Sequence, residues 1–168
     1  MLLNLSKIVG CPGMVPFETA LDLSDLSFGD CHPARVPVLA KGTVRNSAGV
    51  LLLRGTVETT LHGVCDRCLK PFERFVSYPL EAVLVKELEN EKDENEWVFL
   101  LQNDCADLTD IIRTTFVLNM DSRLLCREDC KGLCFRCGKD LNDGPCDCQP
   151  EADPRLAVLQ KLLTGKNP

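Results

Sequence analysis

Six of the chain's eleven cysteines fall within 23 residues, from Cys126 to Cys148, in the run CREDCKGLCFRCGKDLNDGPCDC. Thiolates are soft donors, and four of them satisfy a tetrahedral divalent ion such as zinc. Cys134-Phe135-Arg136-Cys137-Gly138 has the form of a metal knuckle. Two sulfurs three residues apart converge on one ion from a tight turn, and the glycine that follows tolerates the positive φ such a turn needs. Cys134 and Cys137 are therefore the first expected ligands. The remaining two are open: one set adds Cys146 and Cys148 across the loop GKDLNDGP, another adds Cys126 and Cys130 from upstream. Cys126, Cys130 and Cys134 are spaced four apart and would share a face on a helix. Gly132 and the missing apolar periodicity predict a loop instead. Disulfides and spare thiols are the competing readings, and the short-knuckle spacing favours zinc. A centre of four cysteines leaves no open position for water or substrate, so the expected role of the ion is structural.

A second pair, Cys65-Asp66-Arg67-Cys68, lies at a turn between two predicted strands. Three readings compete for it. It completes a second metal site, which requires the fold to bring another pair to it. It is a redox dithiol, although a β-turn lacks the helix N-terminus that lowers the attacking thiol's pKa in thioredoxin-like sites. Or it is a plain turn whose thiols contact their neighbours, the least demanding of the three. Between Lys41 and Arg74 six basic residues stand against three acids, and Arg67, Lys70 and Arg74 lie close in sequence to Phe72 and Phe75. Cations interleaved with aromatics suit phosphate contact and base stacking, so these three are the candidate RNA or partner contacts. The bland alternative is a solvated hairpin with two core phenylalanines.

The formal charge is −6, with 45% hydrophobic and only 5% aromatic residues. Phosphate affinity rests on Lys and Arg, so an acidic chain is not an obvious nucleic-acid binder. The opening MLLNLSKIVG has no basic n-region and too short an apolar run for a signal peptide. No apolar run approaches the roughly 18 residues of a membrane span. These features predict a cytoplasmic protein, where eleven cysteines suit metal or thiol chemistry better than a disulfide framework.

The elements that must position these residues follow from periodicity. Residues 2–9 and 14–23 read as a short strand followed by an irregular arm, with Cys11 and Cys31 incidental. From Val36 alternation begins, with Val36, Val38, Ala40, Gly42 and Val44 on one face. After the turn Asn46-Ser47-Ala48-Gly49, Leu51, Leu53, Val57 and Leu61 share the odd face of a long strand to Val64. Phe72 to Lys86 adds a third strand, which together predict an antiparallel meander. Lys86 to Glu96 is an acidic, solvated run, and Trp97 to Leu101 is a returning strand. Asp107 caps a helix over 107–119 whose apolar face holds Leu108, Ile111, Ile112, Thr115 and Phe116 and packs across the sheet. A last helix is expected from Asp153-Pro154, with Leu156, Leu159 and Leu163 as its stripe. The fold class is therefore α+β, a mostly antiparallel sheet with one packed helix, a cysteine-rich zinc module and a terminal helix. We divide it into a β-rich domain at 1–120 and a zinc module with its helix at 121–168.

There is no HExxH, phosphate-binding glycine loop, nucleophile elbow or dinucleotide fingerprint. Only His32 and His62 are available for proton transfer at neutral pH. An enzyme is not expected.

CDRCLKPFE after a strand pair, an acidic insert, DLTDIIRTTFVLNM, then CKGLCFRCGKDLN with CDC and DPRLAVLQKLL resemble, in that order, the YceD family of large ribosomal RNA subunit accumulation proteins. The resemblance runs from about Val36 to Leu163. It implies a non-catalytic accessory role in the accumulation or processing of 23S ribosomal RNA and in large-subunit assembly. The implied partners are large-subunit rRNA, assembly intermediates or ribosomal proteins, with no membrane and no small-molecule substrate. A zinc-stabilised protein-interaction adaptor with no direct RNA contact is the alternative, and the negative charge speaks for it. The resemblance assigns no catalytic residue.

Overall fold

The computed structural model describes residues 1–28, 32–87 and 97–148. In chain order the elements are β1 (Leu2–Asn4), α1 (Ser6–Val9), β2 (Gly13–Leu21), β3 (Val38–Ser47), β4 (Val50–Val64), β5 (Pro71–Val85), β6 (Val98–Leu100), β7 (Cys105–Asp107) and α2 (Leu108–Asn119). Among the described residues one sheet has five strands in the order β2-β3-β4-β5-β6, and β1 pairs with β7 in a second. β3, β4 and β5 form the expected antiparallel meander, and β2 extends it by a fourth strand. The fold is α+β.

Period-two alternation decides the faces. In β4, Leu51, Leu53, Val57 and Leu61 are buried, and in β3 Val38, Ala40 and Val44 face the same core. The two-residue loop Ala48-Gly49 joins these strands with φ of 54° and 88°, the left-handed pair that matches the twist of a hairpin. Asn46 is buried just before it. Its amide donates to the Ile8 and Val9 carbonyls while its oxygen accepts from the Gly49 N–H at 3.0 Å, tying α1 to the turn. Gly42 faces Gly55 across the β3–β4 ladder. The backbones approach so closely that a Cβ on Gly55 would sit 2.2 Å from the Lys41 carbonyl oxygen.

Helix α2 lies on the core side of the sheet. Asp107 caps it by accepting from the Thr109 N–H, and Leu108, Ile111, Ile112, Thr115 and Phe116 are its buried residues, as the periodicity predicts. Phe116 meets Tyr78 of β5 edge to face, with ring centroids 6.1 Å apart.

Two expectations are corrected. Residues expected in an irregular arm form β2, a regular nine-residue strand paired along its length with β3. The returning strand β6 pairs with β5 in parallel. The acidic run over 88–96 and the terminal helix expected from Asp153 lie outside the described residues, as does Cys31.

Candidate metal centres

Two clusters of four cysteines form, and each could hold a metal ion: Cys65, Cys68, Cys126 and Cys130, and Cys134, Cys137, Cys146 and Cys148. In each, all four sulfurs lie within 4.8 Å of one another. In the first, Cys65 and Cys130 sulfurs are 3.8 Å apart, as are those of Cys68 and Cys126. A disulfide would need about 2.05 Å. A tetrahedral ion with metal–sulfur bonds of about 2.3 Å separates its sulfurs by about 3.8 Å, so the donor set fits one. The ten described cysteines are all free thiols.

The two leading pairs occupy matching turns. Cys65-Asp66-Arg67-Cys68-Leu69-Lys70 and Cys134-Phe135-Arg136-Cys137-Gly138-Lys139 share the pattern C-x-R-C-x-K. In the first, the Cys65 N–H donates to the Lys70 carbonyl at 2.9 Å and the Leu69 N–H to the Cys65 carbonyl at 2.8 Å. In the second, Cys134 donates to Lys139 at 2.8 Å and Gly138 to Cys134 at 2.9 Å. The fifth residue is left-handed in both, Leu69 at φ 57° and Gly138 at φ 70°. Glycine adopts that geometry freely, whereas leucine does so at a conformational cost that the surrounding contacts must offset.

The structure gathers all six clustered cysteines into candidate ligand sets and adds two residues to them. Cys146 and Cys148 close on Cys134 and Cys137. Cys126 and Cys130 turn back to the β4–β5 turn, so Cys65 and Cys68 gain the second pair that no nearby sequence supplies. The repeated C-x-R-C-x-K pattern was the available signal. The first cluster also straddles the boundary placed at residue 120.

Thiol acidity differs within each cluster. Burial pushes Cys65 up, but N–H groups of Cys126, Cys68 and Arg67 overcome it and bring the thiol down to about 6. Cys134 falls to about 6 because the Cys137 and Arg136 N–H groups point at its sulfur. Burial, and then neighbouring sulfurs, push Cys126 up to about 12. The Cys137 sulfur, and then burial, push Cys148 up to about 12. A cluster of this kind cannot carry four thiolates at neutral pH by itself; a cation bound there would supply the missing stabilisation.

Arg67, Lys70 and Arg74 are all engaged within the molecule. Arg67 donates to the Cys130 carbonyl at 2.8 Å, and its own carbonyl accepts from the Leu133 N–H at 3.0 Å. Lys70 pairs with Asp140 at 2.6 Å and Asp143 at 3.7 Å. Arg74 pairs with Asp121. Asp66 exchanges two hydrogen bonds with the Leu124 backbone. Together these contacts staple the hairpin end to the cysteine-rich segment. Phe72 packs half-buried against the first cluster, whereas Phe75 is exposed rather than core. His62 sits 3.2 Å from Glu73 as a cross-strand partner, and His32 is exposed. Asn142 bridges the two centres: its oxygen accepts from the Lys131 N–H and Arg127, and its amide nitrogen lies 3.4 Å from the Cys130 sulfur.

An antiparallel meander whose β4–β5 turn shares one of two four-cysteine clusters with the cysteine-rich segment is thus the class of protein. Residues 53–163 match the family described as large ribosomal RNA subunit accumulation protein YceD, and the chain belongs to that family. An uncharacterized protein of Mycobacterium tuberculosis is 33% identical over 119 residues, covering 70% of this chain and 57% of its own length. The chloroplastic large ribosomal RNA subunit accumulation protein YCED homolog 1 of Zea mays is 26% identical, covering 77% of this chain and 54% of its own length. The uncharacterized protein YlbN of Bacillus subtilis is 28% identical over 88% of this chain and 87% of its own length. The chain therefore spans just over half the length of the first two. No solved structure matches. Among the described residues no helix is long and apolar enough to cross a membrane.

Proposed function

We propose that this protein is a non-catalytic accessory factor for the accumulation of 23S ribosomal RNA and the assembly of the large ribosomal subunit, acting in the cytoplasm. The observation that carries this reading is the family match, which spans both cysteine clusters and the helix between their ligands. We assign zinc to both clusters: all-sulfur tetrahedral donor sets favour it, and four cysteines fill its coordination shell, which suits a structural ion. Each ion would hold its turn in place, and the rest follows from this chain's own contacts. Arg67, Lys70 and Asp66 keep the hairpin end and the cysteine-rich segment in one orientation.

The test is depletion of the protein in its own cells, followed by measurement of the 23S to 16S rRNA ratio. A fall restored by the wild-type gene supports the reading, and an unchanged ratio overturns it. Elemental analysis should find about two zinc ions per chain.

The adaptor reading, contact with a basic ribosomal or assembly protein instead of RNA, draws support from the internal engagement of Arg67, Lys70 and Arg74. Two zinc centres would also deepen the net charge to about −10, because each dication offsets only half of its thiolates. Salt dependence separates the readings, since phosphate contact weakens steeply as salt rises.

A further inference from the structure

The two matching turns differ at their second residue, whereas the lysine is engaged in both, Lys139 donating to the Pro145 carbonyl at 2.7 Å. In the first, Asp66 holds the Leu124 backbone, Arg67 holds the Cys130 carbonyl and Lys70 holds Asp140. In the second, Phe135 occupies the position of Asp66 and is 86% exposed, more than any other large hydrophobic side chain among the described residues. The turn beneath it is fixed by the same pair of backbone hydrogen bonds and by two metal-ligand positions. A ring so exposed buries little surface in its own chain and is open to a partner.

We propose that the Phe135 ring is a stacking platform for an unpaired RNA base, with Arg136 and Lys139 serving the flanking phosphates. This rests on the rRNA reading above and names the place of contact. An anchor for a protein pocket sits within an apolar, desolvated surround. The residues following Phe135 on this turn, Arg136, Cys137, Gly138 and Lys139, are all exposed and include two cations. Base stacking needs only an open π face with positive charge nearby. A four-thiolate zinc centre carries a formal charge of about −2. Arg136 and Lys139 offset that local charge, and with Asp143 and Asp147 exposed in the same loop they lessen, without cancelling, the repulsion a polyanion meets at this tip.

The experiment measures binding of zinc-loaded, full-length protein to a labelled single-stranded oligoribonucleotide and to the duplex of the same sequence. Phe135→Ala is expected to weaken single-strand binding roughly 5- to 100-fold and to leave duplex binding unchanged. Phe135→Tyr keeps the π face and should restore it. Equal zinc content and equal melting temperature in all three proteins confirm that the fold is intact. Single-strand binding by Phe135→Ala at the wild-type level overturns the platform, as does absence of wild-type binding. Loss in Phe135→Ala of a ribosomal-protein contact, with RNA affinity unaltered, overturns it in favour of a protein pocket. The 23S to 16S ratio after depletion is read separately, so the platform can fall while the rRNA role stands.

Discussion

Cys130 and Cys137 would do the same coordination chemistry in unlike surroundings: Cys130 is 2% exposed inside a small apolar cluster with Phe72, Leu125 and Leu133, and Cys137 is exposed. Cys130→Ser and Cys137→Ser should each lower bound zinc from about two ions to one. Only the first should cost several kcal/mol of global stability, on the order of 3 or more, because it also opens the junction between hairpin and module. Metal analysis with thermal melts checks both. Acid should act on both centres, and the sign follows from the thiols. With Cys65 and Cys134 brought down to about 6, their thiolates persist above that pH and take up protons below it, so protons compete with the ion as pH falls. Zinc release into a chromogenic chelator is expected between about pH 6 and pH 5, and to be absent at pH 8. Cys134 and Cys137 were legible as candidate ligands because the cysteines that join them lie within 14 residues. Cys65 and Cys68 were not, because the sulfurs they meet lie 65 and 58 residues away and only the tertiary fold brings them together.

Among the elements, the meander and α2 were readable because each buries one face, and a slip of one residue in a strand would turn that face to water. β2 escaped recognition through Pro16, which argues against a central strand but is tolerated on an edge, where β2 lies. The parallel pairing of β6 depends on the path of the chain between strands, which periodicity does not encode. Gly42 was read merely as part of the alternation and Gly55 was not singled out, yet the facing pair sets how closely β3 and β4 approach. Gly55→Ala would place a methyl 2.2 Å from the Lys41 carbonyl oxygen and 2.8 Å from the Gly42 Cα. Both neighbours are backbone, so the strands must separate; a loss of about 2–4 kcal/mol is expected in urea unfolding. Ala48 is the opposite case, a non-glycine residue held at φ 54° in an exposed turn. Ala48→Gly should raise the free energy of urea unfolding modestly, by about 0.5–1 kcal/mol, as relief of the left-handed strain outweighs the added freedom of the unfolded chain.

For the molecule as a whole, the cysteine-rich segment and the sheet are joined by the first cluster, by Lys70 to Asp140 and by Arg74 to Asp121. Chelation of both ions should therefore deprotect 121–148 and the turn at 65–70 in hydrogen exchange. Amides in the middle of β4 and β5, around Val57 and Leu80, should keep most of their protection, because their core of Leu53, Leu61, Ile112 and Phe116 needs no ion. Uniform deprotection across the chain would show instead that sheet and segment unfold as one unit. The spacing of the first cluster also governs how the protein is born. Ribosomes release Cys65 and Cys68 some sixty residues before Cys126 and Cys130, so the nascent chain carries half a claw through about a third of its synthesis. Those two early thiols must stay reduced until α2 has docked and delivered the other half. A shortage of zinc or an excess of oxidant would harm this protein chiefly during that interval, before there is any finished molecule to protect.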